Sequence, residues 1–198
     1  MSYPTLILCM AFAFVLGSIP FGLVIAKTIK GIDPRKAGSG NIGSTNVARL
    51  CGWPCGVLTL FCDIMKGTLP VLVAVHFMPE QFCQSLVALA AVLGHIKSPF
   101  LGFKGGKGVA TTIGALIPLA FLPLLCAVAC FFAVFFLTRF VSLSSMTMSV
   151  ALAVFYAVFG HWQLLPLGVF LAAMIIWAHR SNIGRLMRGE ESKFVLKK

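Results

Sequence analysis

Long lipid-soluble runs, almost end to end, leave this chain few ways to fold in water. Of its 198 residues 59% are hydrophobic and 11% charged, where an average soluble domain has roughly 45–50% and 25%. The chain therefore reads as an integral membrane protein. Backbone polar groups inside a bilayer must find partners within their own segment, so apolar runs of this length become helices. An all-α, polytopic fold follows. A spanning helix needs about 20 mostly apolar residues, which predicts about seven spans, near 4–26, 54–78, 82–97, 109–121, 122–138, 144–160 and 163–179. Pro118 and Pro123 bracket the turn between the fourth and fifth. No Pro/Ser-rich or acidic linker separates two halves, so a single domain over 1–198 is expected. The first apolar run lacks a basic region before it and a cleavage site after it, and is expected to be a span rather than a removable signal.

Charge sets the expected orientation. The net charge is +11, and the cations sit in short loops: Lys27, Lys30, Arg35, Lys36 and Arg49, then Lys97, Lys104 and Lys107, then Arg139, then a basic tail from Arg180 to Lys198. The turns FMPEQF and GHWQ contain no Lys or Arg. Lysine and arginine accumulate in cytoplasmic loops. Seven spans would put every cationic loop on that side, with the N-terminus outside and the C-terminus and motif loops in the cytoplasm. Cations scattered over such loops, without aromatic interleaving, do not make a nucleic-acid groove. The seven cysteines are an odd count with no CxxC and no His/Cys metal spacing, so they are expected to be small buried packing residues. Carboxylates are too few and scattered for a metal set, and neither metal nor cofactor is expected.

Two polar segments interrupt the apolar pattern, GSGNIGSTNVAR at 38–49 and FKGGKGVATTIG at 103–114. Glycines let consecutive N–H groups converge on an anion. The first segment adds Ser39, Asn41, Ser44, Thr45, Asn46 and Arg49 around Gly38, Gly40 and Gly43. The second places Lys104, Gly105, Gly106, Lys107, Gly108, Thr111 and Thr112 ahead of an apolar helix, and a helix N-terminus is already an anion site. It is not a nucleotide-binding P-loop, because Gly108 stands where Ser or Thr is required after the lysine. Both segments read as phosphate cradles at a bilayer surface. An ordinary turn is the plainer alternative for the first; Arg49, able to grip phosphate bidentately, weighs against it.

Further polar clusters lie in HRSNIGRLMRGEE, from His179 to Glu191, and in TRFVSLSS, from Thr138 to Ser145. Asn182 and Arg185 fall on one helical face. A snorkelling basic anchor explains Arg188, Lys193, Lys197 and Lys198, but not Asn182 or Glu190. The fourth piece adds Arg139, Ser142 and Ser144 to the same expected face. Asp63 and Lys66, at i, i+3 inside the second span, are expected to pair.

In this order, GSIPFG at 17–22, GSGNIGSTNVAR, DIMKG at 63–67, GH at 94–95, FKGGKGVATTIG, RFVSLSS and HRSNIGRLMRGEE resemble the acyl-phosphate glycerol-3-phosphate acyltransferases of bacterial phospholipid synthesis. The resemblance covers almost the whole chain. It implies acyl transfer from acyl phosphate to the sn-1 hydroxyl of glycerol 3-phosphate, yielding lysophosphatidic acid and phosphate at the inner membrane, with membrane lipid as the surrounding partner and no nucleic acid. Ser39, Arg49, Lys104, Ser142, His179, Asn182 and Glu190 are the candidate catalytic set. Gly38, Gly40, Asn41, Thr45, Asn46, Gly105, Gly106, Lys107, Gly108, Thr111, Thr112, Arg139 and Arg185 are the candidate phosphate-binding set. The donor phosphate is assigned to the glycine-lysine loop, with the opposite allocation open. None of His76, His95, His161 and His179 is followed five residues on by an aspartate, so the H-x4-D pattern of acyl-CoA-dependent enzymes is missing. His179, Glu190 or a substrate phosphate oxygen is left as the proton acceptor. A transporter of phosphorylated compounds and an assembly subunit are the competing classes.

Overall fold

The computed structural model describes residues 3–194. These residues form helices and connecting turns, with no strand among them. One compact unit reaches Leu119 and a second begins at Ala120. The first holds α1 (Tyr3–Ser18), α2 (Phe21–Lys30), α3 (Ser44–Cys51), α4 (Trp53–Phe77), α5 (Gln81–Ile96) and α6 (Val109–Leu116), with a 3-10 turn at Pro99–Leu101. The second holds α7 (Phe121–Thr138), α8 (Val141–Val158), α9 (Leu165–Ala178) and α10 (Arg180–Met187).

Among the described residues five stretches are long and apolar enough to cross a bilayer: Tyr3–Lys30, Trp53–Phe77, Gln81–Leu101, Phe121–Thr138 and Val141–Val158. A sixth arises if α9 and α10, bent by 60°, count as one broken span. The expected span over 109–121 differs. Its helix, α6, has 8 residues, and at about 1.5 Å per residue it covers well under half of a hydrocarbon core about 30 Å thick. Pro118 is the reason: it brings no N–H to the Gly114 carbonyl, which instead accepts the Thr68 hydroxyl at 2.9 Å. By length and composition five or six stretches among the described residues qualify as full spans, where about seven spans were expected.

Glycine sets how closely the helices of the first unit approach. A Cβ at Gly17 of α1 would collide with the Ala91 carbonyl of α5, and one at Gly94 of α5 with the Phe14 carbonyl of α1. Gly67 of α4 and Gly114 of α6 press in the same way on the Thr111 and Ile64 carbonyls. Close backbone contact is the usual source of helix association where lipid is as apolar as leucine. Gly114→Val should therefore force α6 off α4 and destabilise the protein by about 1–3 kcal/mol, read as a lower thermal midpoint in detergent.

Proline breaks the first span. Pro20 cannot continue the hydrogen-bond ladder, so α1 stops at Ser18 and α2 starts at Phe21. The carbonyls at the break find other donors: Ser18 accepts the Ser98 hydroxyl at 2.6 Å and Ile19 accepts the Lys66 ammonium at 2.8 Å. Gly22 lies directly under the Ile42 carbonyl, where a Cβ would not fit. Ile42 belongs to the first glycine-rich segment and Ser98 precedes the second. Both segments therefore hang from one helix break.

In the second unit α8 packs against α7 and α9. The outer faces of α7 and α8 carry exposed Phe132, Phe136, Leu137, Val150 and Val154, the composition of a lipid-facing surface. Tyr156 is fully buried beneath Gly168 of α9.

Candidate active site

The first glycine-rich segment is folded around one side chain. Asn46, in the first turn of α3 and 2% exposed, reaches back with its Nδ2 to the carbonyls of Pro34, Ala37 and Asn41 at 2.9, 3.2 and 2.8 Å. Its Oδ1 accepts the Ser39 N–H at 2.9 Å. Gly38 and Gly40 have φ of +60° and +71°, a region costly for residues with a Cβ. Asn41 Oδ1 accepts the Gly43 N–H at 2.7 Å, and α3 then begins with no side-chain cap. Its first N–H groups remain available to an anion. Ser39 is exposed, while Ser44, Thr45 and Arg49 are half-buried on α3. Arg35 and Lys27 are taken by Asp33, 2.7 and 3.8 Å away, and the Arg35 hydrogen bond holds the Asp33 carboxyl well below the usual carboxylate range.

The second segment turns on the end of α5. Gly106 donates its N–H to the His95 carbonyl at 3.1 Å and Gly105 to the Ile96 carbonyl at 3.0 Å. Gly108, at φ +83°, opens α6, again with no side-chain cap. Lys104 is exposed and Lys107 half-buried beside that N-terminus. Thr111 and Thr112 are fully buried, and neither hydroxyl has a hydrogen-bond partner among the described residues. Beneath the turn, Lys66 Nζ lies 2.7 Å from Asp63 Oδ1, an ionic contact without hydrogen-bond alignment, and His95 Nδ1 lies 3.8 Å from the same oxygen.

In the second unit the polar residues gather on Glu191. Its Oε1 accepts the Ser142 hydroxyl and the Asn182 amide, each at 2.6 Å, and its Oε2 accepts Arg185 Nε at 2.7 Å. Arg139 ends α7 at φ +62°, with its carbonyl accepting the Phe194 N–H at 2.9 Å and its side chain exposed. The segment after α10 thereby lies against the α7–α8 turn. His179 is buried with Nδ1 2.8 Å from the Ile175 carbonyl. A carbonyl accepts only, so Nδ1 is the donor in this contact.

Burial raises the Glu191 pKa, but hydrogen bonds from Ser142, Asn182 and Arg185, with the Arg185 charge, outweigh it and hold the carboxyl below its ordinary value. A carboxyl lowered on folding contributes stability above its unfolded pKa and loses that contribution as pH falls through the folded one. The cluster should thus survive from neutral pH to below about 4.3, the ordinary glutamate value. Thermal midpoints measured from neutral to acid pH should fall at the acid end, and Glu191→Gln should flatten that fall.

Several expected site residues stand elsewhere than sequence suggested. Asn182 and Arg185 do share a face, but the carboxylate they bind is Glu191. Glu190 is exposed and pairs with Arg188 at 2.7 Å. The reason is Gly189, at φ +68°, which turns the chain so that successive carboxylates point opposite ways. Ser144 bonds back to Phe140 O at 2.8 Å within its own helix. The Asn46 carboxamide is committed to the loop backbone rather than open to phosphate. His95 and Glu191 are not among the expected site residues: His95 meets Asp63 and Glu191 meets Ser142 across long stretches of sequence, which local spacing does not encode. Among the described residues no group of three His, Cys, Asp or Glu could hold a metal ion.

The family model described as glycerol-3-phosphate acyltransferase matches residues 7–189. A glycerol-3-phosphate acyltransferase of Nitratidesulfovibrio vulgaris is 54% identical over 186 residues, covering 93% of this chain, which spans 57% of that relative's length. The crystal structure of PlsY, an integral membrane glycerol 3-phosphate acyltransferase, in its glycerol 3-phosphate form superposes with a TM-score of 0.92 at 41% identity, covering 96% of both chains. Its lysophosphatidic acid form superposes with a TM-score of 0.90 at 41% identity, over 97% of this chain and 96% of the other.

Proposed function

This chain belongs to the glycerol-3-phosphate acyltransferase family, and on that premise we propose that it moves a fatty acyl group from acyl phosphate to the sn-1 hydroxyl of glycerol 3-phosphate. The products are lysophosphatidic acid and inorganic phosphate, and the polar loops work at the cytoplasmic face of the bacterial inner membrane. One observation carries this reading: two glycine-rich turns, each opening an uncapped helix N-terminus and each supplied with cations, hang from one end of an apolar helical unit. Such turns suit phosphate, and both substrates carry one.

The acceptor hydroxyl oxygen attacks the donor's carbonyl carbon, the bond from that carbon to the bridging phosphate oxygen breaks, and phosphate departs with the electron pair. The donor is already activated, so no covalent enzyme intermediate is needed; positioning and charge stabilisation suffice. Arg49, Lys104 and Lys107, with the N–H groups of α3 and α6, hold the phosphates, Ser39 and Thr45 adding hydroxyls. The hydroxyl proton passes to a substrate phosphate oxygen. His179 is the protein group that would otherwise take it, whereas Glu190 is held by Arg188.

The test is purified full-length protein in lipid nanodiscs, given glycerol 3-phosphate with acyl phosphate or, in parallel, acyl-CoA. Lysophosphatidic acid from acyl phosphate alone is expected. Product from acyl-CoA would refute the donor assignment, and transport without product would refute acyl transfer. A His179→Ala variant retaining turnover would fit substrate assistance; complete loss with substrate binding intact would point to His179 as the base.

A further inference from the structure

We infer that His95 is a positioning residue for the Gly105–Gly106–Lys107 turn, held from below by Asp63 and Lys66 of α4. The turn is moulded on both halves of this one residue. Its carbonyl accepts the Gly106 N–H at 3.1 Å, and a Cβ at Gly105 would strike that same carbonyl. Its imidazole lies against the next residue, so that a Cβ at Gly106 would strike Nε2. The two consecutive glycines are therefore demanded by His95, not only by an approaching anion.

His95 in turn packs, without a hydrogen bond, against the ion pair of α4. It is 4% exposed, with Nδ1 3.8 Å from Asp63 Oδ1. Lys66, 2% exposed, sits 2.7 Å from that oxygen, donates to the Ile19 carbonyl at 2.8 Å and lies 5.7 Å from the Phe21 ring centroid. One buried ion pair thus links the α1–α2 break, α4 and the end of α5. Gluing helices together does not call for charge here, because well-packed apolar side chains of similar volume usually serve as well or better, and charge within a bilayer is costly. What charge supplies is a fixed geometry, and the surface it fixes carries Lys104 and Lys107.

The kinetic readout rests on the acyl-transfer reading; a binding readout does not. His95→Asn, Gly106→Ala and the double variant would be compared with the parent chain in nanodiscs. Each single change is expected to raise KM for one phosphate substrate by about tenfold, leaving kcat and the other KM within about twofold. The double variant should be no worse than either single one, because the alanine's collision is with the ring that His95→Asn shortens. A multiplied defect in the double variant, or kcat and both KM values changing together with the thermal midpoint, would overturn the inference. His95→Gln replaces His95→Asn if that protein does not fold. If the parent chain shows no acyl transfer, that reading fails by itself. Calorimetric binding of glycerol 3-phosphate and of inorganic phosphate then decides: about tenfold weaker in the variants supports the positioning role, and unchanged affinity refutes it.

Discussion

Lys104→Ala is expected to lower kcat/KM for acyl transfer by about 100- to 1000-fold while leaving the thermal midpoint unchanged. The ammonium is exposed at the mouth of a turn that leads into the uncapped N-terminus of α6. Nothing in the packing of α4 against α6 depends on it, since that contact is made by Gly67 and Gly114. A preorganised donor aimed at developing charge typically contributes a factor of this size. Steady-state kinetics on both substrates, with a melting curve on the same preparation, separate a rate effect from a folding one. Arg49→Lys is the companion change: it keeps the charge but loses the planar fork, so it should recover only part of what Arg49→Ala removes. Normal kinetics in both alanine variants would remove the phosphate-cradle assignment.

Glu191→Ala should be the most destabilising single change in the second unit, by about 3 kcal/mol or more. The loss removes the carboxylate on which the Ser142 hydroxyl, the Asn182 amide and the Arg185 guanidinium converge, and removing one side of a charge-assisted cluster costs more than the bonds themselves are worth. The midpoint should fall by roughly 6–12 °C. Glu190→Ala, one residue away and solvent-exposed, should move it by less than about 0.5 kcal/mol equivalent. Equal midpoints for the two variants would mean that Glu191 does not organise the cluster.

What the sequence made legible, and what it hid, divides by the range of the interaction. The helical membrane fold was readable because uninterrupted apolar runs admit little else. The Asp63–Lys66 pair and the shared face of Asn182 and Arg185 were readable because i, i+3 neighbours meet on any helix, and each pair is found in contact with a common group or with one another. The shortness of α6 was not readable. Pro118 only stops a helix once Thr68, forty-six residues before Gly114, takes the Gly114 carbonyl that the proline leaves behind. Nor could periodicity choose between Glu190 and Glu191, which lie on irregular backbone after Gly189. Asn46 showed the reverse problem: its residue type suits phosphate and loop-building equally, and only the three carbonyls around its amide decide for the loop.

The break at Pro20 has a consequence for anyone seeking a sturdier version of this protein. Helix propensity alone would mark Pro20 as the obvious residue to replace, since a continuous helix would close the ladder across Ser18 and Ile19. Those two carbonyls, however, serve as sockets for Lys66 and Ser98. A repaired α1 would withdraw both sockets, leaving the Ser98 hydroxyl without its acceptor and the Lys66 ammonium with Asp63 alone, deep in an apolar interior. Local improvement and global stability are set against each other at this proline, and an engineered straight helix there should yield a weaker protein than the broken one.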